Sequence, residues 1–330
     1  MKILALFSIA LLATALPVRA VAIDTDRADV QAFIEDMVST HGYDRARLME
    51  VLNDAASQPG ILEAISKPAE KTLTWKDYRN IFLTEARIEA GAAFWREHRD
   101  TLSRISDETG VAPEILVAII GVETYFGRIT GNHRVLDALA TLAFDYPPRS
   151  SFFRRELEQF LLLVREEDMN PADATGSYAG AMGAPQFMPS SYRAYAIDAS
   201  DDGKRDIWNN WQDVIGSIAN YFVAHGWQPG REIATLATLA DGWNGSPPKN
   251  SLKPEDTVDS LSKQGVLFAT DLDGAEKSQL MKLDGVDGDE YWVGFHNFFV
   301  ITRYNHSVMY ALAVYQLGRA IEREVESSDA

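Results

Sequence analysis

The sequence runs Pro113-Glu114-Ile115-Leu116-Val117-Ala118-Ile119-Ile120-Gly121-Val122-Glu123 and reaches Gly127 four residues later. Counting back three, four and seven residues from Glu123 gives Ile120, Ile119 and Leu116, so in a helix its carboxyl shares the apolar stripe and faces the interior. Burial disfavours the anion there, and the negative end of the helix dipole in the last turn disfavours it further. A carboxyl that keeps its proton near neutrality suits general-acid chemistry. The alternative is structural: a buried glutamate held by an arginine such as Arg128 or Arg149.

Two further stretches have residue types suited to binding. From Gly176 to Tyr192, small residues with Gly176, Gly180 and Gly183 let the backbone approach a ligand closely. Ser177 and Gln186 there can hydrogen-bond hydroxyls or acetamides, and Phe187 and the tyrosines offer apolar faces to sugar rings. The same composition fits a glycine-rich loop packed between helices. Further on, Asp198, Ser200, Asp202 and Asp206 put side-chain oxygens at positions 1, 3, 5 and 9 of a calcium-type loop, with Gly203 at 6 and the Lys204 carbonyl at 7. Position 12 is Asn209 rather than a bidentate Glu, and Arg205 takes the usual apolar place at 8. The segment therefore reads either as a weak metal loop or as a solvated acidic turn.

The elements that would carry these groups are mostly helical. Helical spacing marks two short helices over 26–52, interrupted at His41-Gly42-Tyr43-Asp44, then stretches from Trp75 through Trp95, from Pro113, and over 135–144, 152–165 and 211–225. Between 230 and 290 the composition shifts to Gly, Pro, Ser, Lys and Asp, with a loop at 244–248. Short strands are predicted at 266–269, 280–283 and 291–301, and a last helix from Ser307 to Val325. With 330 residues, 46% of them hydrophobic, the chain can bury a substantial core. It has no cysteine, which excludes disulfides, thiol nucleophiles and zinc ribbons. The formal charge of −17 argues against nucleic acid as a partner, since each phosphate contact calls for a cation. The apolar stretch from Ile3 to Leu16, followed by Pro17-Val18-Arg19-Ala20, reads as a signal peptide over residues 1–20, too short for an anchor. The expected product is soluble, periplasmic or extracellular, and without a membrane anchor.

Taken together the motifs become specific. Gly121-Val122-Glu123-Thr124, Leu136-Asp137-Ala138-Leu139-Ala140-Thr141-Leu142, Ala179-Gly180-Ala181-Met182-Gly183 with Gln186-Phe187-Met188-Pro189-Ser190-Ser191-Tyr192, and Ile301-Thr302-Arg303-Tyr304-Asn305 closely resemble the lytic murein transglycosylase B family, glycoside hydrolase family 103. The matching motifs run in order from Trp75 to Gly318. The resemblance implies an α+β, mainly helical, lysozyme-like core with extra helical lobes and a small antiparallel β subdomain. On that basis 26–110 is a helical lobe, 111–229 the core, 230–302 a loop and β insertion, and 303–325 the closing helix. It also implies cleavage of the MurNAc–GlcNAc β-1,4 bond of peptidoglycan strands without water, leaving 1,6-anhydromuramic ends.

Carried across by position, Glu123 matches the single acid/base of that family. Ser177, Gln186, Tyr304 and Asn305 match residues that position the sugars, and Tyr78 and Tyr221 match aromatic walls of the groove. For Tyr221 a core position on its helix is an equal alternative. The resemblance implies no cofactor for the chemistry, a structural Ca2+ at the Asp198–Asn209 loop, and contact with other periplasmic cell-wall enzymes. A water-using muramidase with Asp137 or Asp145 as base, and a silent peptidoglycan-binding scaffold, are the competing readings. Phe152 stands where a tyrosine can line the groove, and Arg149 could meet a peptide carboxylate.

Overall fold

The computed structural model describes residues 21–66, 73–243 and 245–329; the expected signal peptide, 1–20, lies outside them, as does Asn244. The first lobe contains β1 (Val21–Ala22), α1 (Ala28–His41), α2 (Arg45–Asp54), β2 (Ala56–Ser57), α3 (Pro59–Ser66), α4 (Trp75–Phe82), α5 (Glu85–Glu97) and α6 (Arg99–Thr109). Where the spacing predicts one helical stretch from Trp75 to Trp95, the chain breaks at Leu83, and Thr84 caps α5 by accepting the Arg87 N–H. The middle of the chain contains α7 (Pro113–Thr124), β3 (His133–Arg134), α8 (Val135–Asp145), α9 (Ser150–Glu166), β4 (Thr175–Gly176), α10 (Pro189–Tyr195) and α11 (Trp211–Ala224).

A five-stranded antiparallel sheet follows, formed by β5 (Ala234–Leu239), β6 (Asp256–Thr257), β7 (Val266–Phe268), β8 (Lys277–Gly285) and β9 (Gly288–Gly294) in the order β6-β8-β9-β5-β7, with α12 (Val258–Lys263) between β6 and β7. Strand alternation makes the sheet a bridge between two cores. Met281 and Leu283 join the main helical core, whereas Leu280 and Val293 face a small cluster with Val258 and Leu261. The chain ends with α13 (His296–Tyr304) and α14 (Val308–Asp329).

The strand predicted over 291–301 is corrected: it stops at Gly294 and the chain turns helical at His296. Aromatic and β-branched residues there mimic a strand, but Phe295, Phe298, Phe299 and Thr302 recur at helical spacing and are all buried. Buried Asn297 fixes the turn, accepting the Gln228 N–H at 2.9 Å and donating to the Gln228 carbonyl at 2.7 Å.

At the centre lies α7. Pro113 occupies its first turn, where a missing N–H costs nothing. Residues Ile115 to Ile120 are all fully buried, so the helix is apolar on every side rather than along one stripe. The long α14 crosses it closely: a Cβ on Gly318 would stand 2.8 Å from the Glu114 carbonyl oxygen.

Candidate active site

Because α7 has no polar face, Glu123 reaches solvent by coming at the helix end rather than by its side. The helix is stopped by Tyr125 and Phe126, both left-handed at φ 51° and 58°. The Tyr125 N–H bonds to the Gly121 carbonyl and the Phe126 N–H to that of Ile120, both at 3.2 Å, which closes the last turn in an αL cap. Two consecutive non-glycine residues in this region store strain beside a half-buried acid. Thr124 holds the cap in place, accepting the Gly127 N–H and donating to the Ala184 carbonyl at 3.1 Å.

Tyr310, in the first turn of α14, donates its O–H to Glu123 Oε1 at 2.6 Å. Burial first, then the Glu123 charge, pushes the Tyr310 phenol well above its ordinary value, so it remains a donor. The arginines offered by the structural alternative are engaged on rings: Arg128 lies 5.0 Å from Tyr125, and Arg149 lies 4.4 Å from Phe152 and 5.1 Å from Phe153.

Asp137 and Asp145 are also spoken for. With Thr141 they form a polar stripe on α8 at i, i+4, i+8, and this stripe holds the backbone and side chains of 56–58. Asp137 accepts the Ala56 N–H at 3.0 Å, Thr141 accepts the Gln58 N–H at 3.0 Å, and Asp145 takes the Ser57 hydroxyl and Arg27, each at 2.6 Å.

The glycine-rich loop packs tightly against this centre. Ser177 Oγ accepts the N–H groups of Ala179 and Ala181, leaving its O–H as the remaining donor. Gln186, at φ 52°, spends its amide N–H groups on the Thr130 and Gly183 carbonyls and keeps Oε1 as an acceptor. Tyr304 reaches over the loop and donates to the Pro185 carbonyl at 2.7 Å, with half-buried Asn305 following it at the end of α13. Phe187 is 2% exposed and wedged between Tyr221 and Tyr304 at 5.8 and 5.9 Å, so little of its ring is open to a ligand. Tyr221 is 7% exposed and donates to the Arg303 carbonyl, a core position that locks α11 to α13. Tyr78 is 2% exposed and stacks on Trp75. All three rings are thus packed mainly into the core, and for Tyr221 this is the core alternative offered by its helix.

The acidic loop draws together a different set from the one its spacing predicts. Carboxylate oxygens of Asp198, Asp202 and Asp213 lie within 4.8 Å of one another. Asp213, fully buried in the first turn of α11, accepts the N–H groups of Ala199, Ser200 and Asp206. Ser200 donates to Asp198, and Asp198 also accepts the Gly203 N–H at 2.7 Å, which curls the loop with the Lys204 backbone following. Asp206 and Asn209 turn elsewhere: Asp206 accepts the N–H groups of Trp208 and Asn209, and Asn209 donates its amide back to it. Three carboxylates at this separation, with the Ser200 hydroxyl beside Asp198, are oxygen donors of the kind a hard cation such as Ca2+ takes.

Residues 25–319 match the transglycosylase SLT domain. The chain belongs to that family. It is 43% identical over 304 residues to the membrane-bound lytic murein transglycosylase B of Escherichia coli strain K12, covering 89% of this chain and 82% of that one. Among solved structures, the catenated lytic transglycosylase SltB1 of Pseudomonas aeruginosa superposes with a TM-score of 0.87 at 48% identity, covering 91% and 98% of the two chains. The Escherichia coli lytic transglycosylase Slt35, solved in complex with calcium, gives 0.83 at 41% identity over 93% and 96%. The mainly helical α+β architecture is the lysozyme-like fold of these transglycosylases. Among the described residues no helix is long and apolar enough to cross a membrane.

Sequence reasoning misses two residues that the structure brings to these clusters. Tyr310 looks like any core tyrosine of an amphipathic helix, and only the crossing of α14 over α7 brings it to Glu123. Asp213 leaves a trace: an acid in the first turn of the helix that follows the loop, four residues past the expected position.

Proposed function

We propose that this protein is a periplasmic lytic murein transglycosylase in which Glu123 alone serves as acid and base. The observation that carries the reading is the pairing of Glu123 with the Tyr310 donor while Asp137 and Asp145 are bound to the 56–58 segment. Protonated Glu123 gives its proton to the glycosidic oxygen as the bond from muramoyl C1 breaks. The carboxylate so formed, steadied by the Tyr310 O–H, takes the proton of the C6 hydroxyl as O6 bonds to C1. Glu123 is again an acid, no water is consumed, and the strand ends in a 1,6-anhydro ring. The neighbouring N-acetyl group supports C1 in place of the second carboxylate that ordinary glycosidases use. Ser177, Gln186 Oε1 and Asn305 offer the hydrogen bonds that orient the sugars.

Asp198, Asp202 and Asp213 would hold a structural Ca2+, which ties the loop to α11 and takes no part in the chemistry. The absence of cysteine leaves no thiol to carry a lipid link. The test is a digest of purified sacculi with wild-type protein and Glu123→Gln, read by liquid chromatography and mass spectrometry. Anhydromuropeptides from wild type alone are expected. Reducing ends, one water heavier, would make the enzyme a muramidase, and binding without product from either protein would make it a scaffold.

A further inference from the structure

Beyond the loop that carries Ser177, the chain forms a concavity of about 410 Å³, lined by Met169, Asn170, Asp173, Thr175, Trp208 and Asn209 among others. Trp208 is half-exposed and held from three sides. Its backbone N–H is capped by Asp206 at 2.9 Å, its indole N–H donates to the Thr175 carbonyl at 3.0 Å, and the buried Tyr192 ring backs it at 6.0 Å. An aromatic ring fixed in this way loses little entropy when a ligand packs on it.

Around it stand polar groups with capacity to spare. Asn170 donates to Asp173 Oδ1 at 2.9 Å, which leaves Asp173 Oδ2 as an acceptor, and Asn209, whose amide N–H goes to Asp206, lines the same cavity with its amide oxygen as a further acceptor. Asp173 in the lining, in a chain of charge −17 and with no cation among the lining residues, disfavours phosphates and carboxylates. A rigid indole beside amide and carboxylate acceptors suits a neutral ring with one C–H face and a hydroxyl edge. Thr175, the residue that receives the indole N–H, begins β4 and leads through Gly176 directly to Ser177.

We propose that this cavity is a remote glycan subsite in which Trp208 packs on an N-acetylhexosamine of the same strand that Glu123 cleaves. The inference rests on the glycan-cleaving reading above and extends it to a strand long enough to pass Ser177. The subsite adds affinity for long strands and nothing for short ones.

Calorimetry on the Glu123→Gln protein tests it, with tri-N-acetylchitotriose and hexa-N-acetylchitohexaose as probes. Adding Trp208→Ala should weaken hexaose binding by about tenfold, the usual cost of truncating a buried aromatic anchor, and leave triose binding within about twofold. Trp208→Phe should recover most of the loss. Equal hexaose affinity with and without the Trp208 ring would refute the subsite. A parallel loss for both lengths would refute it too, since Trp208 would then merely prop the Ser177 loop. If Glu123→Gln bound neither probe, the glycan reading of the whole cleft would fall first.

Discussion

Replacing Tyr310 by Phe removes one oxygen atom from the site and leaves its packing intact. The ring is 2% exposed and sits among core residues of α7 and α14, so phenylalanine fills the same space. What is lost is the 2.6 Å bond to Glu123 Oε1. In the protonated acid that bond joins neutral partners and contributes about 0.5–1.5 kcal/mol. Between the two proton transfers Glu123 is an anion and the bond is charge-assisted, with about 1.5–3 kcal/mol at stake. The difference falls on the state that follows cleavage of the glycosidic bond. Taken end to end that difference is about 1–1.5 kcal/mol, so turnover should drop by about 5- to 12-fold while KM changes little. Release of anhydromuropeptides from sacculi, followed over time and substrate amount, separates the two constants. Melting should fall by no more than about 4 °C, because a half-buried Glu123 can replace the lost donor with water. A turnover within about threefold of wild type would show that Tyr310 does not serve the anion. A rise in KM with turnover intact would make it a wall of the groove.

Three further perturbations probe the surroundings. Wild-type protein should melt higher in calcium, by the equivalent of about 2–3 kcal/mol at a hundredfold excess over Kd, and Asp213→Asn should abolish the rise; calcium-independent melting of the wild type would remove the metal from the loop. Asp145→Asn breaks a partly exposed link to Arg27 and Ser57, so it should cost about 1 kcal/mol in urea unfolding and leave the anhydro product unchanged. Burial alone would raise the Asp29 carboxyl, yet the Arg27 hydrogen bond and the charges of Arg27 and Arg154 outweigh it and hold the group below its ordinary value. Since the folded value is the lower one, Asp29 adds stability above about pH 4 and loses it as the pH falls through the folded value. Limited proteolysis at about pH 3 should therefore release the α1 segment sooner than at about pH 6, a difference that Arg27→Met should shrink.

The helices were legible because their spacing and punctuation agree: Gly42 ends α1 in a left-handed cap, and Pro113 opens α7. Glu123 was legible as a carboxyl on a buried helix, although its exposure comes from the cap that stops α7 and not from a stripe. The sheet was read only in part. β5, Ala-Thr-Leu-Ala-Thr-Leu, pairs with both β7 and β9, yet its mixed small and polar residues give a weak signal, and 296–301 carries strand formers into a helix. The aromatic residues were hardest. Whether Phe187, Tyr221 or Tyr78 faces a sugar or the core depends on which helix crosses in front, a tertiary fact that no local spacing encodes. The same is true of Asp213, which joins the loop across a turn that does not keep the standard calcium-loop register.

The disposition of the acids explains why one carboxylate can suffice. The sequence has 48 Asp and Glu residues, so a second carboxylate near the cleft would have been easy to supply. α8 instead spends on the 56–58 segment Asp137 and Asp145, the two acids that a water-using muramidase reading names as base. Water would have to attack unaided, whereas the C6 hydroxyl is tethered to the carbon it attacks. A well-oriented intramolecular group acts with an effective concentration of about 10⁵ M or more, far above that of water. The carboxylate best placed to accept the C6 proton is the one that has just lost its own. A site with one acid, one fixed phenol donor and a nucleophile built into the substrate therefore favours ring closure over hydrolysis. Supplying a base for water would shift the balance, and here the geometry of α8 withholds it.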